Sequence, residues 1–149
     1  MLLRTHFAIS VFAILIFISS VESKLVFVLI TLFATLLPDI DSRFSTIGRR
    51  KVARILQFFT RHRGVIHSYT FLLVLTFILI LIWPVLGFGF FLGYSLHLFA
   101  DSFTIEGIKP FHPSKYKSKG FIKTGGKSEM VFFLVFVFLS AILLLLKVL

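Results

Sequence analysis

The longest apolar stretch of the chain runs from Tyr69 to Ala100, 32 residues without an aspartate, glutamate, lysine or arginine. An upright membrane-spanning helix needs only about 20 residues, so this stretch is too long for one span. Trp83 and Pro84 interrupt it near the middle, and Gly87 and Gly89 follow. Because proline ends helices and tryptophan favours the headgroup level of a bilayer, the pattern predicts two spans joined by a turn across these residues.

Three shorter apolar runs predict three further spans. They are Phe7 to Val21, Leu25 to Leu37 and Met130 to Leu146. Hydrophobic residues make up 58% of the chain and charged residues only 15%, which is far from the composition of soluble globular proteins. We therefore predict an all-α polytopic membrane protein with about five short transmembrane helices, organised as a single domain over residues 1–149.

The first apolar run also has the form of a secretory signal peptide, with a tolerable cleavage position at residues 21–23. Alternatively it is a retained span, because a second apolar run follows after only a few residues. We expect a tight helical hairpin that turns at Glu22 to Lys24. Pro38 is expected to end the second helix, because proline lacks the N–H that continues a helix.

Between Ile47 and Phe59 the apolar and basic residues fall on opposite faces of a helical pattern. This pattern predicts one basic amphipathic helix that lies in the membrane interface. A solvated, charged helix end is the alternative explanation.

The basic residues lie on one predicted side of the membrane. Of the 16 lysines and arginines, 14 lie in the N-terminus, the 38–68 loop or the 101–129 loop. Five spans put these regions on one side, which the positive-inside rule makes the cytoplasmic side. The net charge of +10 would also suit nucleic acid, but basic loops between apolar runs more often set topology and contact anionic lipid. We therefore expect membrane lipid as a partner and no nucleic acid.

His97 and Asp101 lie four residues apart at the end of the longest apolar stretch, which places them one turn apart on one helix face. A helix-stabilising pair is the alternative explanation for this spacing. The other ionisable residues that flank apolar runs include His6, Asp39, Asp41, His62, His67, Glu106 and Glu129. An ionised side chain at membrane depth costs at least about 2.5 kcal/mol, so a cluster of them needs mutual pairing or a cation.

Asp39 and Asp41 can both turn toward one ion, although an Asx turn or helix cap would explain the same Asp-x-Asp pattern. His62 and His67 are five residues apart, and Gly64 between them allows the bend that would bring them together. Anchoring of either histidine at the interface is the alternative. Because the chain has no cysteine, a metal would be held by nitrogen and oxygen, which suits zinc, manganese, iron or magnesium.

Arg63 lies between the two histidines of this pair, and its planar guanidinium matches the oxygens of a phosphate. This favours an anionic, phosphate-bearing substrate. With a divalent metal bound, the expected chemistry is hydrolysis, because the ion lowers the pKa of a bound water and polarises the ester.

Five motifs follow one another in a specific order. They are Thr5-His6, Leu37-Pro38-Asp39-Ile40-Asp41, His62-Arg63-Gly64-x-x-His67-Ser68, Gly93-Tyr94-x-x-His97-x-x-x-Asp101-x-x-Thr104-x-x-Gly107 and Thr124-Gly125-x-x-x-Glu129. Together they resemble the YdjM-like family of small inner-membrane, metal-dependent hydrolases, over residues 5–129. The lysine-rich 108–123 loop departs from the family pattern by being unusually basic.

The resemblance implies a multi-span helical protein with a distant likeness to zinc-dependent phospholipases C. We expect a membrane-bound metal-dependent hydrolase with its site at the cytoplasmic face of the inner membrane, zinc as the metal, and a phosphate ester or a lipid as the substrate. The expected metal ligands are His6, Asp39, Asp41, His67, His97 and Asp101. The expected catalytic residues are His62, Arg63 and Glu129.

Two other functions fit part of the pattern. A non-catalytic membrane interaction protein would need no convergence of ionisable groups. A metal or ion transporter would gather histidine and aspartate too, but it needs polar groups through the bilayer. The outer halves of the predicted spans offer only scattered serine, threonine and glycine.

Overall fold

A computed structural model describes residues 1–40 and 65–149 of the chain. Within these ranges it has five α-helices, numbered here in chain order. They are α1 (Leu3–Phe17), α2 (Lys24–Ile40), α3 (Tyr69–Ile82), α4 (Pro84–Ser102) and α5 (Lys127–Val148). The described ranges contain two isolated β-bridges, both in the 103–126 loop, and no β-strand. The predicted all-α membrane protein class is therefore confirmed.

Three of the described helical segments are long and apolar enough to cross a membrane. They are Leu3–Ser20, in which a 3₁₀ turn extends α1, Pro84–Ser102 and Lys127–Val148. Helix α2 has 17 residues and α3 has 14. At 1.5 Å per residue α3 is about 21 Å long, which is less than the bilayer core of about 30 Å. The five predicted spans thus correspond to three full-length helices and two short ones.

Large apolar side chains cover the outside of the helices. Leu25 is 72% exposed, Leu81 71% and Phe138 66%. A soluble monomer seldom exposes so much contiguous apolar surface. The exposed leucines and phenylalanines are suited instead to contact with lipid tails.

The N-terminus and the start of α5 meet at one end of the bundle. There the backbone N–H of Leu2 donates a hydrogen bond to Glu129. At the other end Lys147 Nζ donates to Ser19 Oγ at 2.7 Å. Since the short connections of residues 18–23 and of Trp83 lie at this second end, the helices alternate in direction. This is the arrangement that the five-helix layout predicts.

The break within the longest apolar stretch is confined to one residue. Trp83 is extended between α3 and α4, and Pro84 begins α4, where its missing N–H leaves no helical bond unmade. Gly87 and Gly89 lie inside α4, so the prediction that they belong to the turn was wrong. Gly89 serves close packing instead, because a Cβ there would lie 2.3 Å from Ile30 Cγ2.

Helices α2 and α4 form the most extensive helix pair in the described ranges. Gly93 allows this approach, since a Cβ at that position would lie 2.1 Å from the carbonyl oxygen of Thr31. Small residues commonly let transmembrane helices pack closely in this way. The buried apolar cluster beside this contact consists of Ala34, Leu72, Phe90, Tyr94, Leu98 and Ile108.

Pro38 lies inside α2, so the prediction that it ends the helix was wrong. Its missing N–H removes the bond to the carbonyl of Ala34, and transmembrane helices tolerate such a loss where neighbouring groups satisfy the freed backbone. Asp39 therefore belongs to the last turn of α2. Asp41 and the predicted amphipathic helix over Ile47 to Phe59 lie outside the described residues.

Candidate metal centre

Five ionisable side chains converge at the end of the bundle that holds the N-terminus. They are His6 of α1, Asp39 of α2, His67 just before α3, and His97 and Asp101 of α4. All five are buried, and none is more than 9% exposed. Burying so many ionisable groups is costly unless they are paired with one another or coordinate a cation.

The cluster continues polar stripes on three helices. The stripes repeat every four residues: His6 and Ser10 on α1, Thr31, Thr35 and Asp39 on α2, and His97 and Asp101 on α4. A spacing of four places residues on one helix face. Ser10 Oγ and Thr35 Oγ1 are hydrogen-bonded at 2.7 Å, so the stripes of α1 and α2 face each other inside the bundle.

The ring of His97 is oriented by a backbone carbonyl. Its Nδ1 lies 2.8 Å from the carbonyl oxygen of Thr35, which can only accept a hydrogen bond, so Nδ1 carries a proton. In the neutral ring Nε2 then presents a lone pair, and it has no hydrogen-bond partner among the described residues. It lies 3.8 Å from Asp39 Oδ1 and 3.8 Å from Asp101 Oδ2. Metal-binding histidines typically donate a hydrogen bond in this manner from the N–H of their other ring nitrogen.

His6 stacks on His97, with 3.8 Å between the ring centroids and 5° between the planes. Neither ring nitrogen of His6 has a hydrogen-bond partner among the described residues, and its Nε2 lies 3.3 Å from Asp101 Oδ1. His6, His97 and Asp101 each offer one ligand atom, and these atoms lie within 4.8 Å of one another. In a tetrahedral zinc site the donor atoms lie about 3.4 Å apart, so the three donors would have to move closer by up to about 1.4 Å to bind zinc.

The carboxylate of Asp101 connects several parts of the cluster. Its Oδ2 lies 3.2 Å from His67 Nε2, and its Oδ1 contacts the amino group of Met1. The ring of His67 also meets that of His97 edge to face, with centroids 5.4 Å apart. Asp101 thus draws together α1, α4 and the segment that precedes α3.

Glu129 is buried at the start of α5, next to the start of α1. Its Oε1 accepts hydrogen bonds from the N–H of Leu2 and from Thr5 Oγ1, and its Oε2 accepts one from the N–H of Gly125. These bonds use both carboxylate oxygens and anchor α1 one residue before His6. These contacts suit a positioning role for Glu129, and its catalytic role stays a prediction.

Three predicted site residues, Asp41, His62 and Arg63, lie outside the described residues, and their roles stay predictions. Glu106, which also flanks an apolar run, is exposed in the 103–126 loop. The convergence of the two histidines around Gly64 is likewise untested.

Thr35 is the residue that sequence reasoning missed. Its hydroxyl pairs with Ser10 and its carbonyl orients His97. The spacing of four between Thr35 and Asp39 in an apolar run could have indicated the side chain. The carbonyl carries no signal of its own, because every residue has one.

The fold and the cluster define an all-α integral membrane protein with a buried histidine and aspartate site at one end of its helices. The chain belongs to the YdjM inner membrane protein family, whose sequence profile matches residues 1–148. The resemblance drawn from the motifs is thereby confirmed, and membership assigns the protein to the inner membrane.

One relative is the uncharacterized protein YvsG of Bacillus subtilis (strain 168), which is 32% identical over 102 residues. The match covers 64% of this chain and 64% of the relative, so the chain spans less than two thirds of that protein's length. No solved structure matches the chain.

Proposed function

We propose that this protein is a membrane-bound, metal-dependent hydrolase whose ion is held by the buried cluster. The observation that carries the proposal is the position of His97 Nε2, which has no hydrogen-bond partner among the described residues and lies 3.8 Å from two carboxylates. A lone pair that faces anionic oxygens is unfavourable unless a proton or a cation lies between them, and a bound divalent cation satisfies all of these groups at once. The unpartnered nitrogens of His6 beside Asp101 support the same interpretation.

The residues suited to hold the ion are His6, His97 and Asp101, with Asp39 and His67 next to them. A mixed set of imidazoles and carboxylates suits zinc first, and manganese, iron or magnesium after it. When bound, such an ion would lower the pKa of a water molecule and polarise the scissile ester. Both effects favour hydrolysis near neutral pH.

In the proposed reaction the oxygen of water bonds to phosphorus and the P–O bond to the leaving alcohol breaks. The proton that the water loses ends on the leaving oxygen. A histidine or carboxylate that does not hold the ion is suited to relay this proton, and His62 is the expected residue. Arg63 is expected to bind the phosphate oxygens through its two-pronged guanidinium. Both residues lie outside the described ranges.

We further propose that the cluster faces the cytoplasm. This is supported by the sequence, because 14 of the 16 basic residues lie in the three regions that the predicted five-span layout puts on one side of the membrane. The proposal requires that the first helix is retained in the mature protein, since this helix supplies His6.

The test is hydrolysis by the detergent-purified chain, loaded with zinc or manganese, against phosphomonoesters, phosphodiesters and phospholipids. His97→Ala is compared with His112→Ala, a histidine of the 103–126 loop that is not part of the cluster. We expect metal-dependent turnover by the wild type and His112→Ala, and turnover lower by more than about 100-fold in His97→Ala. Metal binding without turnover of any ester would argue against a hydrolase and for storage or transport.

A further inference from the structure

A groove of about 270 Å³ lies between α1, α4 and α5. Helix α1 packs well against α5 but only lightly against α4, and α4 and α5 have no substantial contact with each other. Helix α1 therefore forms the floor of the groove, and the other two helices form its walls. The lining includes Ile9 of α1, Leu92, Leu96 and Ala100 of α4, and Phe132 and Phe136 of α5.

The groove approaches the cluster along two helices, although no cluster residue lines it. On α1 the lining residue Ile9 lies three positions after His6, so the floor continues the helix face that carries this histidine. On α4 the lining residues Leu96 and Ala100 immediately precede His97 and Asp101 in the chain. The groove thus begins within one helical turn of the proposed ligands and runs from there along the spans.

We propose that the groove holds an acyl chain of a membrane phospholipid whose phosphate ester is presented to the cluster. This inference rests on the proposed hydrolase function and names its substrate class. The three helices that form the groove are those long enough to span the bilayer, so the groove lies at hydrocarbon depth.

Every side chain that lines the groove is apolar, while the ionisable groups of the cluster lie within one helical turn of its nearest lining residues. This division matches an amphiphile with one polar end. The apolar lining offers no polar contact to a small water-soluble ester. A larger groove of about 600 Å³ lies between α3 and α4, but its lining residues nearest the cluster, Leu73 and Phe91, are each six positions from a cluster histidine, more than one helical turn away.

The groove can be filled without touching the cluster. Leu92→Trp adds bulk to the α4 wall five residues from His97, and Leu29→Trp on the exposed face of α2 is the matched control. Turnover is measured on long-chain phosphatidylglycerol in mixed micelles and on para-nitrophenyl phosphate in solution. We expect Leu92→Trp to lower turnover of the lipid by about tenfold or more, which corresponds to about 1.4 kcal/mol. Leu92→Trp should leave the turnover of the soluble ester and the metal content unchanged. Leu29→Trp should leave the turnover of both substrates unchanged. An equal loss on both substrates, or no loss on the lipid, would overturn the inference.

A binding measurement separates this inference from the hydrolase proposal. A phosphatidylglycerol with a diazirine at the end of one acyl chain is photolysed with the purified protein, and the labelled peptides are mapped by mass spectrometry. We expect labels concentrated on α1 and α4 at the groove, lost in Leu92→Trp and kept in Leu29→Trp. Labelling of the groove without hydrolysis of any ester would support the acyl-chain site and contradict the hydrolase proposal. Hydrolysis together with labelling that is uniform and insensitive to Leu92→Trp would contradict the acyl-chain site and leave the hydrolase proposal standing.

Discussion

The imidazole rings of His6 and His97 lie parallel with their centroids 3.8 Å apart, although one belongs to the first helix and the other to the fourth. Three of their four ring nitrogens are buried and have no hydrogen-bond partner among the described residues. Two protonated rings at this distance would repel each other. Two neutral rings beside the carboxylate of Asp101 instead form a donor set for a cation.

The close contact of α2 and α4 should be needed for this arrangement, and Gly93→Ala tests it. The new Cβ would lie 2.1 Å from the carbonyl oxygen of Thr31, a backbone atom that cannot rotate away. Overpacking of this kind costs about 1–3 kcal/mol. The helix shift would also separate His97 from the carbonyl of Thr35. We expect a lower Tm in detergent together with weaker metal binding, measured by thermal unfolding and metal titration.

Ala141→Val is the control for this variant, because it adds side-chain volume on the exposed face of α5. It should change neither Tm nor metal affinity. If Gly93→Ala matched the wild type in both quantities, the close approach of the two helices would be contradicted.

Glu129 should act by holding α1 in place. Glu129→Ala would remove the acceptor for the N–H of Leu2, for the hydroxyl of Thr5 and for the N–H of Gly125. Each buried donor left unsatisfied costs about 1–3 kcal/mol. We therefore expect a lower Tm and metal binding weakened by about 10- to 100-fold, the range typical of groups that support a ligand.

Glu22→Ala, which changes an exposed glutamate between α1 and α2, should leave both quantities unchanged. Glu129→Gln distinguishes the positioning role from a catalytic one, since the amide retains one oxygen acceptor. A Gln variant with normal Tm and metal content but no turnover would show that Glu129 takes part in the reaction.

Local features of the sequence were sufficient for part of the fold and the site. The spacing of His97 and Asp101 predicted a shared helix face, and both side chains are buried in the cluster, because the helical period is a property of the backbone. The break at Trp83 and Pro84 followed from the chemistry of these two residues.

Features that depend on packing between helices were not predictable in this way. Pro38 was expected to end α2 and Gly87 to belong to a turn, yet both lie within helices, because transmembrane helices tolerate an internal proline and close packing on Ile80 requires the glycine. The carbonyl of Thr35, which orients His97, belongs to the main chain and has no sequence signature. The 41–64 segment, with its predicted helix and its arginine, stays a prediction.

The cluster end of the bundle should face the cytoplasm. Lys117→Cys in the 103–126 loop should be protected from a membrane-impermeant maleimide in intact cells, whereas Glu22→Cys between α1 and α2 should react. The labels are unambiguous because the chain has no cysteine of its own, and both positions are exposed. Labelling of Lys117→Cys from outside would refute the proposed orientation.

Arg63 should contribute to turnover rather than to metal binding. Lysine keeps the positive charge but cannot bind a phosphate through two parallel hydrogen bonds, so Arg63→Lys should be impaired in hydrolysis while its metal content stays normal. Arg61→Lys is the matched control, because Arg61 lies two residues earlier in the same basic segment. Equal activity of the two variants would reduce Arg63 to an interfacial anchor and weaken the case for a phosphate substrate.

The metal content of the purified protein tests the central claim most directly. The chain is purified through a tag without histidines, and bound zinc, manganese and iron are measured by inductively coupled plasma mass spectrometry. The wild type and His112→Ala should each carry at least about one ion per chain. His97→Ala and Asp101→Ala should carry almost none while keeping their helix content by circular dichroism. If both cluster variants kept the metal content of the wild type, the buried histidines and aspartates would not be a metal site.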